Sequence, residues 1–410
     1  MASPPRQVLT GPTPWGLVIL MGSLTAMGPL AIDMYLPSLP GISRGLGASS
    51  EQVGLTLAAF FAGLGIGQFV YGPLSDRIGR RGPLIFGMAL FVLGTVLCAV
   101  APSIHLLILA RFLQALGGSA GQVVARASVR DQFEHQMAAR VLSLLMLVLG
   151  LAPIVAPLIG GYLLVVGDWR SIFWFQAAVA LVVLTFTVWR LQESRPDSVL
   201  EQARSENPIA AYAAVLGNRQ VVGFALSGMF NSGAFFSWLS LSSYLLIEHY
   251  GVTPANFGWW FGANAAGFIA VSQLNAHLLK YYTPEEVLVR ARPASILFAL
   301  VTLGMAVTGV GGMLGVIIPL YITMASFGLV GPNTQAAAMN VDVRRTGTIS
   351  SVTGGGSFAM GALISFLCGF LHFGGPVPLT VLILVLIVAS AAALYLIARP
   401  DTRREPVAAE

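Results

Sequence analysis

The chain has 410 residues, of which 56% are hydrophobic and only 10% charged, and its mean hydropathy is +0.79. Soluble domains carry about a quarter charged residues, so that class is excluded. The two cysteines, Cys98 and Cys368, lie far apart in apolar runs and offer neither a disulfide framework nor a metal site.

Apolar stretches of about 20 residues, the length that crosses a ~30 Å hydrocarbon core, recur along the chain. They fall near 15–37, 53–73, 84–101, 104–125, 138–165, 171–191, 220–247, 255–278, 293–311, 314–337, 347–372 and 377–398. They predict an all-α membrane protein with twelve transmembrane helices. The first run does not read as a signal peptide: it is long, carries an acid and lacks an Ala-x-Ala cleavage pattern. With both termini in the cytoplasm, every basic residue except Arg44, Arg111 and Arg170 falls in a cytoplasmic segment, Arg290 and Arg292 included. That asymmetry is the positive-inside bias, so the net charge of +5 reports topology and needs no nucleic-acid partner. The polar stretch QESRPDSVLEQARSENP (192–208) divides the spans six and six. The expected organisation is a tail at 1–14, an N-terminal six-helix bundle at 15–191, a linker at 192–218, a C-terminal six-helix bundle at 219–398 and a tail at 399–410. Paired halves of this kind hold their substrate near the midplane, between the repeats.

In the first span no ionisable side chain occurs from Trp15 to Ile32; then Asp33 appears, with Pro37 close behind. Asp33 is expected near the outer end of the helix, with Thr25 and Pro29 on its face, and Asp33 and Thr25 are candidates for contact with a substrate. An acid inside a span is a candidate proton carrier, and the plainer alternative is an acid that merely reaches water at a helix end. Phe60 and Phe61 in the second span are candidate pocket aromatics. Between the second and third spans lies GPLSDRIGRRGPL (72–84), where Asp76 stands among Arg77, Arg80 and Arg81, and Gly72 and Gly79 permit tight turns. Arg111 stands inside the fourth span, where an uncompensated charge is costly, with Gln114 one turn away. It has two compatible roles: a hydrogen-bond donor to first-helix carbonyls, or a partner that tunes Asp33, directly or through water. Desolvation and a neighbouring guanidinium pull on such an acid in opposite senses, which would let one site load and release a proton. The fifth span, GLAPIVAPLIGG (150–161), combines Pro153 and Pro157 with Gly160 and Gly161, favouring bends and close packing. In the seventh, Asn231 is polar within the span, and Phe235, Phe236 and Trp238 supply aromatic surface of the sort that lines small-molecule pockets, the plainer alternative being that they face lipid or pack against helices. Asn264 in the eighth is a further candidate.

The loop matches G-x-L-[AS]-D-R-x-G-R-[RK] at Gly72, Leu74, Ser75, Asp76, Arg77, Gly79, Arg80 and Arg81, and so resembles the signature loop of the major facilitator superfamily. There the loop is a conformational latch on the cytoplasmic side, its acid able to face a helix N-terminus, here the eleventh near Gly347. RFLQALGGSAG resembles the superfamily's R-x-x-Q-G-x-G pattern, with Ala115 in place of a glycine. The fifth span resembles its antiporter motif G-x-x-x-G-P-x-x-G-G at Pro157, Gly160 and Gly161, with Ala152 and Ala156 where glycines are usual. Together with IDMYLP, the VRD of 129–131, WRSIFW (169–174) and GLVGPNTQAAAMN (328–340), the chain is similar to the bicyclomycin/chloramphenicol-resistance branch of the drug:proton antiporters. The resemblance implies a monomeric bacterial inner-membrane exporter of small hydrophobic or cationic drugs, driven by protons, with no cofactor and no metal. A nutrient symporter or facilitator of the same fold is the alternative. An enzyme is disfavoured: no His-Glu-x-x-His motif occurs, and the single lysine, Lys280, follows Leu279, so there is no phosphate-binding Gly-Lys loop.

Overall fold

The computed structural model describes residues 15–133, 135–193, 208–342, 345–369 and 375–400. The tails at 1–14 and 401–410, and residues 194–207 of the expected linker, lie outside them. Among the described residues the chain is a series of helices: α1 (Trp15–Asp33), α2 (Leu39–Leu46), α3 (Ser50–Ile78), α4 (Arg81–Ala99), α5 (Ile104–Gln132), α6 (His135–Val166), α7 (Trp169–Arg190), α8 (Pro208–Gly217), α9 (Arg219–Ser243), α10 (Pro254–Leu278), α11 (Pro284–Thr308), α12 (Gly312–Ala325), α13 (Phe327–Val341), α14 (Thr346–Cys368) and α15 (Pro376–Ala392). Short π-helical turns extend α9 over Tyr244–His249 and α15 over Ala393–Ala398.

Local chemistry sets the ends. Ser49 with Gln52, and Thr283 with Glu286, form reciprocal capping boxes that start α3 and α11, each satisfying donors that the first turn leaves orphaned. Ser103 and Asp168 cap α5 and α7. Pro284 stands in the first turn of α11, where its missing N–H costs nothing. Pro37 acts in the opposite sense. It cannot donate to the carbonyl four residues back, that of Asp33, so α1 stops at the acid and the chain turns through a 3₁₀ segment, Leu36–Ser38, into α2.

Ten helical stretches among the described residues are long and apolar enough to cross a membrane. The first is Trp15–Leu46, which includes the break, and another is Gly312–Val341, which joins α12 and α13 across Ser326. Helices α9 and α10 have the length, 25 residues each, but fall outside that group because polar residues such as Asn231 and Asn264 dilute their hydropathy. Large apolar side chains cover the outside: Trp189 is 74% exposed, Trp259 69% and Val165 68%, a surface suited to lipid.

Two expectations change. The ninth span was expected to begin at 293, with Arg290 and Arg292 in the preceding loop; α11 begins at Pro284 and takes both into the helix. Gly72 was expected to make a turn, yet it lies inside α3 with open space around it, and only Gly79 has positive φ, at +95°.

The chain divides into two compact units, residues 1–208, 239–265 and 361–372 in the first, and 209–238, 266–360 and 373–410 in the second. In the first unit α1 is gripped at close range. A methyl on Gly121 of α5 would meet the Leu24 carbonyl at 2.5 Å. One on Gly28 would strike Gln122 of α5, and one on Gly160 of α6 the Met34 carbonyl. In membranes such small-residue contacts replace the hydrophobic drive as the source of helix association. Gly161, the next residue of α6, lies against the start of α10: its methyl would stand 2.9 Å from the Pro254 carbonyl. The second unit packs around Phe224, Leu288, Val330, Ile349 and Leu394.

Candidate functional site

Ending α1 at Asp33 leaves its last carbonyls without helical partners. Two are engaged locally: Met34 N–H donates to Leu30 O at 3.2 Å and Tyr35 N–H to Ile32 O at 3.1 Å. The Ala31 carbonyl, passed over by Tyr35, accepts instead from Arg111 Nη1 of α5 at 3.0 Å. The same Nη1 donates to Gln114 Oε1 at 2.7 Å. Gln114 Nε2 in turn donates to Thr95 Oγ1 (2.9 Å) and Gln176 Oε1 (3.1 Å), and Gln176 Nε2 donates to Leu30 O at 3.4 Å. A chain of side chains from α4, α5 and α7 thereby closes the broken end of α1. A cation at the negative end of a helix is well placed.

Arg111 is fully buried. Its guanidinium lies between two rings, 4.2 Å from the Tyr35 centroid and 4.1 Å from that of Phe60, the geometry of cation–π attraction. Tyr35 is itself held by a 2.6 Å bond between its hydroxyl and Thr56 Oγ1. Arg111 therefore takes the donor role to a first-helix carbonyl, and no ion pair joins it to Asp33. The Asp33 carboxyl, 5% exposed, has no hydrogen-bond or ion-pair partner among the described residues. It stands one residue from Met34, which packs with Ala156 of α6 and Ile172 of α7 and meets Gly160. The acid thus sits at the helix break, next in sequence to Met34, which packs on α6, and two residues from the stacked Tyr35.

The other candidates separate. Thr25 is fully buried and donates to Met21 O. Phe60 and Phe61 are fully buried, edge to face, and Phe60 spends its ring on Arg111, so neither is an open pocket wall in this structure. Asn264 is 4% exposed, its Nδ2 enclosed without a partner. These residues share the first unit with Asp33. In the second unit, half-buried Phe235 contacts the rings of Phe236, Phe268 and Phe327, and Phe236 contacts Phe358. Trp238 is fully buried against Tyr321. Asn231, 3% exposed, accepts from Arg292 Nη1 at 3.3 Å.

At the end of α3, Arg80 organises the signature loop. It pairs with Asp76 (2.8 Å) and with Asp131 of α5 (2.8 Å) and donates to Ser75 Oγ at 2.7 Å. Glu193, just past α7, accepts from the backbone N–H groups of Arg80 (2.8 Å) and Arg81 (3.1 Å), capping α4. Gly347, the expected counterpart of Asp76, belongs to the other unit. Gly79 turns with left-handed φ against the Glu193 carboxylate, where a methyl would come within 2.5 Å. Gly79→Ala is therefore expected to lower thermal stability by about 1–2 kcal/mol, whereas Gly72→Ala is expected to be neutral or slightly stabilising, since alanine is the better helix former. Parallel melting curves of the two purified variants check this, and equal melting points would refute it.

The comparisons agree with this architecture. The family described as Major Facilitator Superfamily matches residues 21–365. A Bacillus subtilis protein described as an uncharacterized MFS-type transporter, YdgK, is 34% identical over 362 residues, covering 88% of this chain and 90% of its own. The bicyclomycin resistance protein homolog of Haemophilus influenzae is 28% identical, covering 92% and 95%, and the multidrug resistance protein MdtL of Escherichia coli is 28% identical, covering 92% and 93%. Among solved structures, a D-xylose-proton symporter superposes with TM-score 0.75 at 11% identity, covering 95% and 98%. A bacterial homolog of the human lysosomal transporter Spinster, in an inward-facing occupied conformation, gives 0.72 at 16%, covering 97% and 100%. At such identities these two likenesses concern the fold alone.

Proposed function

This chain belongs to the major facilitator superfamily, and from that premise we propose that it is a proton-coupled exporter of small hydrophobic or cationic drugs, working by alternating access in a bacterial inner membrane. The superfamily is one of transporters and not of enzymes, and the chain is a multi-pass membrane protein. The proposal adds twelve spans with both termini in the cytoplasm, two six-helix bundles joined by the segment at 192–218, a monomeric state, and Asp33 as the proton carrier. The observation that carries it is the placement of Asp33: a lone carboxyl, nearly buried, at a proline-made helix end that Arg111 and Gln176 close. An acid inside a membrane-spanning segment is costly and marks a functional position by default. Beside the break, Gly160 brings the antiporter-like helix into backbone contact with the residue that follows the acid, so protonation at Asp33 and packing of α6 are mechanically adjacent. The relatives named for bicyclomycin and multidrug resistance support drugs as the cargo.

In this reading the signature loop, with Arg80 held by Asp76 and Asp131, is the latch. Thr25, Asn231, Phe235, Phe236 and Asn264 remain the residues proposed to line the path, Phe60 and Phe61 contributing only if Arg111 lets them go. Two experiments test it. A drug-susceptibility panel in a pump-deficient bacterium should show resistance conferred by the wild-type chain. In inside-out vesicles, an exported drug should collapse a preformed proton gradient. A drug that is transported without moving the gradient would point to a facilitator, and a compound that dissipates it only on the opposite face would point to a symporter.

A further inference from the structure

The second unit holds a buried cation that the reading so far leaves without a task. Arg292, in the third turn of α11, is fully buried. Its Nη1 donates to Asn231 Oδ1 at 3.3 Å and its Nη2 to Ser227 Oγ at 3.4 Å; its Nε has no partner. Asn231 and Ser227 are one helical turn apart on the same face of α9, and Ser227 is fixed from the other side by Ser390 of α15, whose hydroxyl lies 3.1 Å from its own. No carboxylate pairs with Arg292 among the described residues. A guanidinium left in such a place without an acid is costly, and it is retained between two neutral oxygens.

Those two oxygens explain what it does. A guanidinium only donates, so the Asn231 amide meets it through Oδ1 and cannot be turned round. The other half of that amide, Nδ2, has no hydrogen-bond partner among the described residues and, unlike Nδ2 of Asn264, is not among the fully enclosed unpartnered atoms. We propose that Arg292 is a positioning residue that locks Asn231 as a hydrogen-bond donor toward the transported molecule, selecting substrates that carry an acceptor oxygen such as a carbonyl, nitro or hydroxyl group. The inference rests on the drug-export reading, in which Asn231 lines the path. It adds the sign of the polar contact: a site built to donate rejects molecules that cannot accept.

The test uses purified full-length protein and two probes, chloramphenicol, which carries amide, nitro and hydroxyl oxygens, and tetraphenylphosphonium, which carries none. Arg292→Gln can accept as well as donate and so frees the Asn231 amide to flip. Asn231→Asp keeps a pair with Arg292, which protects the fold, but removes the donor. In both variants chloramphenicol binding should weaken about tenfold, the loss of roughly one hydrogen bond, while tetraphenylphosphonium binding is not weakened. Arg292→Lys, which also only donates, should retain chloramphenicol binding. Unchanged chloramphenicol binding in Asn231→Asp, or a parallel loss of both probes in the two variants, would overturn the inference while leaving drug export standing. A wild-type protein that binds tetraphenylphosphonium but not chloramphenicol would overturn this inference, while a wild-type chain that confers no resistance in the susceptibility panel would overturn the export reading and this inference with it.

Discussion

Asp33→Asn is expected to abolish drug-driven proton movement while leaving the protein folded and able to bind its drug. Asparagine has nearly the volume of aspartic acid and cannot carry a proton on and off. The carboxyl has no ion-pair partner to strand, so the change removes titration without removing a structural contact. Wild type and variant should therefore share a melting temperature and a drug affinity within about threefold, a difference of well under 1 kcal/mol. In inside-out vesicles the variant should leave the proton gradient intact when drug is added, and in cells it should lose at least most of the resistance that the wild type confers. Asp33→Glu, longer by one methylene, should recover part of the coupling. If Asp33→Asn exchanges protons for drug at the wild-type rate, the carrier is elsewhere and Asp33 is only a residue at a helix end.

Arg111→Met is the second large effect, and its sign separates structure from coupling. Methionine matches the stem of arginine but donates nothing. The Ala31 carbonyl and Gln114 Oε1, both served by Nη1 at 3.0 and 2.7 Å, would be left buried and unpaired, at about 1–3 kcal/mol each. The stacking of the guanidinium between Tyr35 and Phe60 would be lost as well, worth roughly another 0.5–2 kcal/mol. The sum is several kcal/mol, a large fraction of the margin of most proteins, so the variant should melt far below the wild type and accumulate poorly. Arg111→Lys keeps a charge but has a single ammonium to divide between two acceptors, and should fall between. A variant Arg111→Met that melts with the wild type yet fails to transport would show that the guanidinium acts on the proton and not on the fold.

The sequence revealed charge inside apolar runs more clearly than it revealed the partners of that charge. Asp33 and Arg111 stand out because nothing ionisable surrounds them, and the antiporter-like glycines stand out by spacing. That Arg111 meets the Ala31 carbonyl and not the acid depends on Pro37 removing one helical hydrogen bond, and on Tyr35 N–H choosing Ile32 O. Both are details of a broken turn that no apolar count contains. Gln176, which completes the closure, stands in the apolar run of 171–191 with nothing in its spacing to mark it. With the ninth span placed at 293–311 by its apolar run, Arg292 falls in the preceding loop. The signal that corrects it was present: Thr283-Pro-Glu-Glu286 is a capping box with proline in the first turn, which starts the helix nine residues earlier. Phe60 and Phe61 were read by residue type as pocket aromatics, and only the position of the guanidinium shows what Phe60 covers.

The glycine grip on α1 bears on how the proposed proton could be watched. Gly121 and Gly160 let this helix touch the backbone of its neighbours with almost no side chain between, so its depth and rotation are set by atomic radii and not by adjustable rotamers. The environment of the Asp33 carboxyl should then be nearly the same from molecule to molecule. A protonated acid held so uniformly should give a narrow carbonyl stretch in the infrared. That band should vanish in Asp33→Asn, fade as the acid ionises, and broaden when a methyl at Gly160 loosens the contact with Met34.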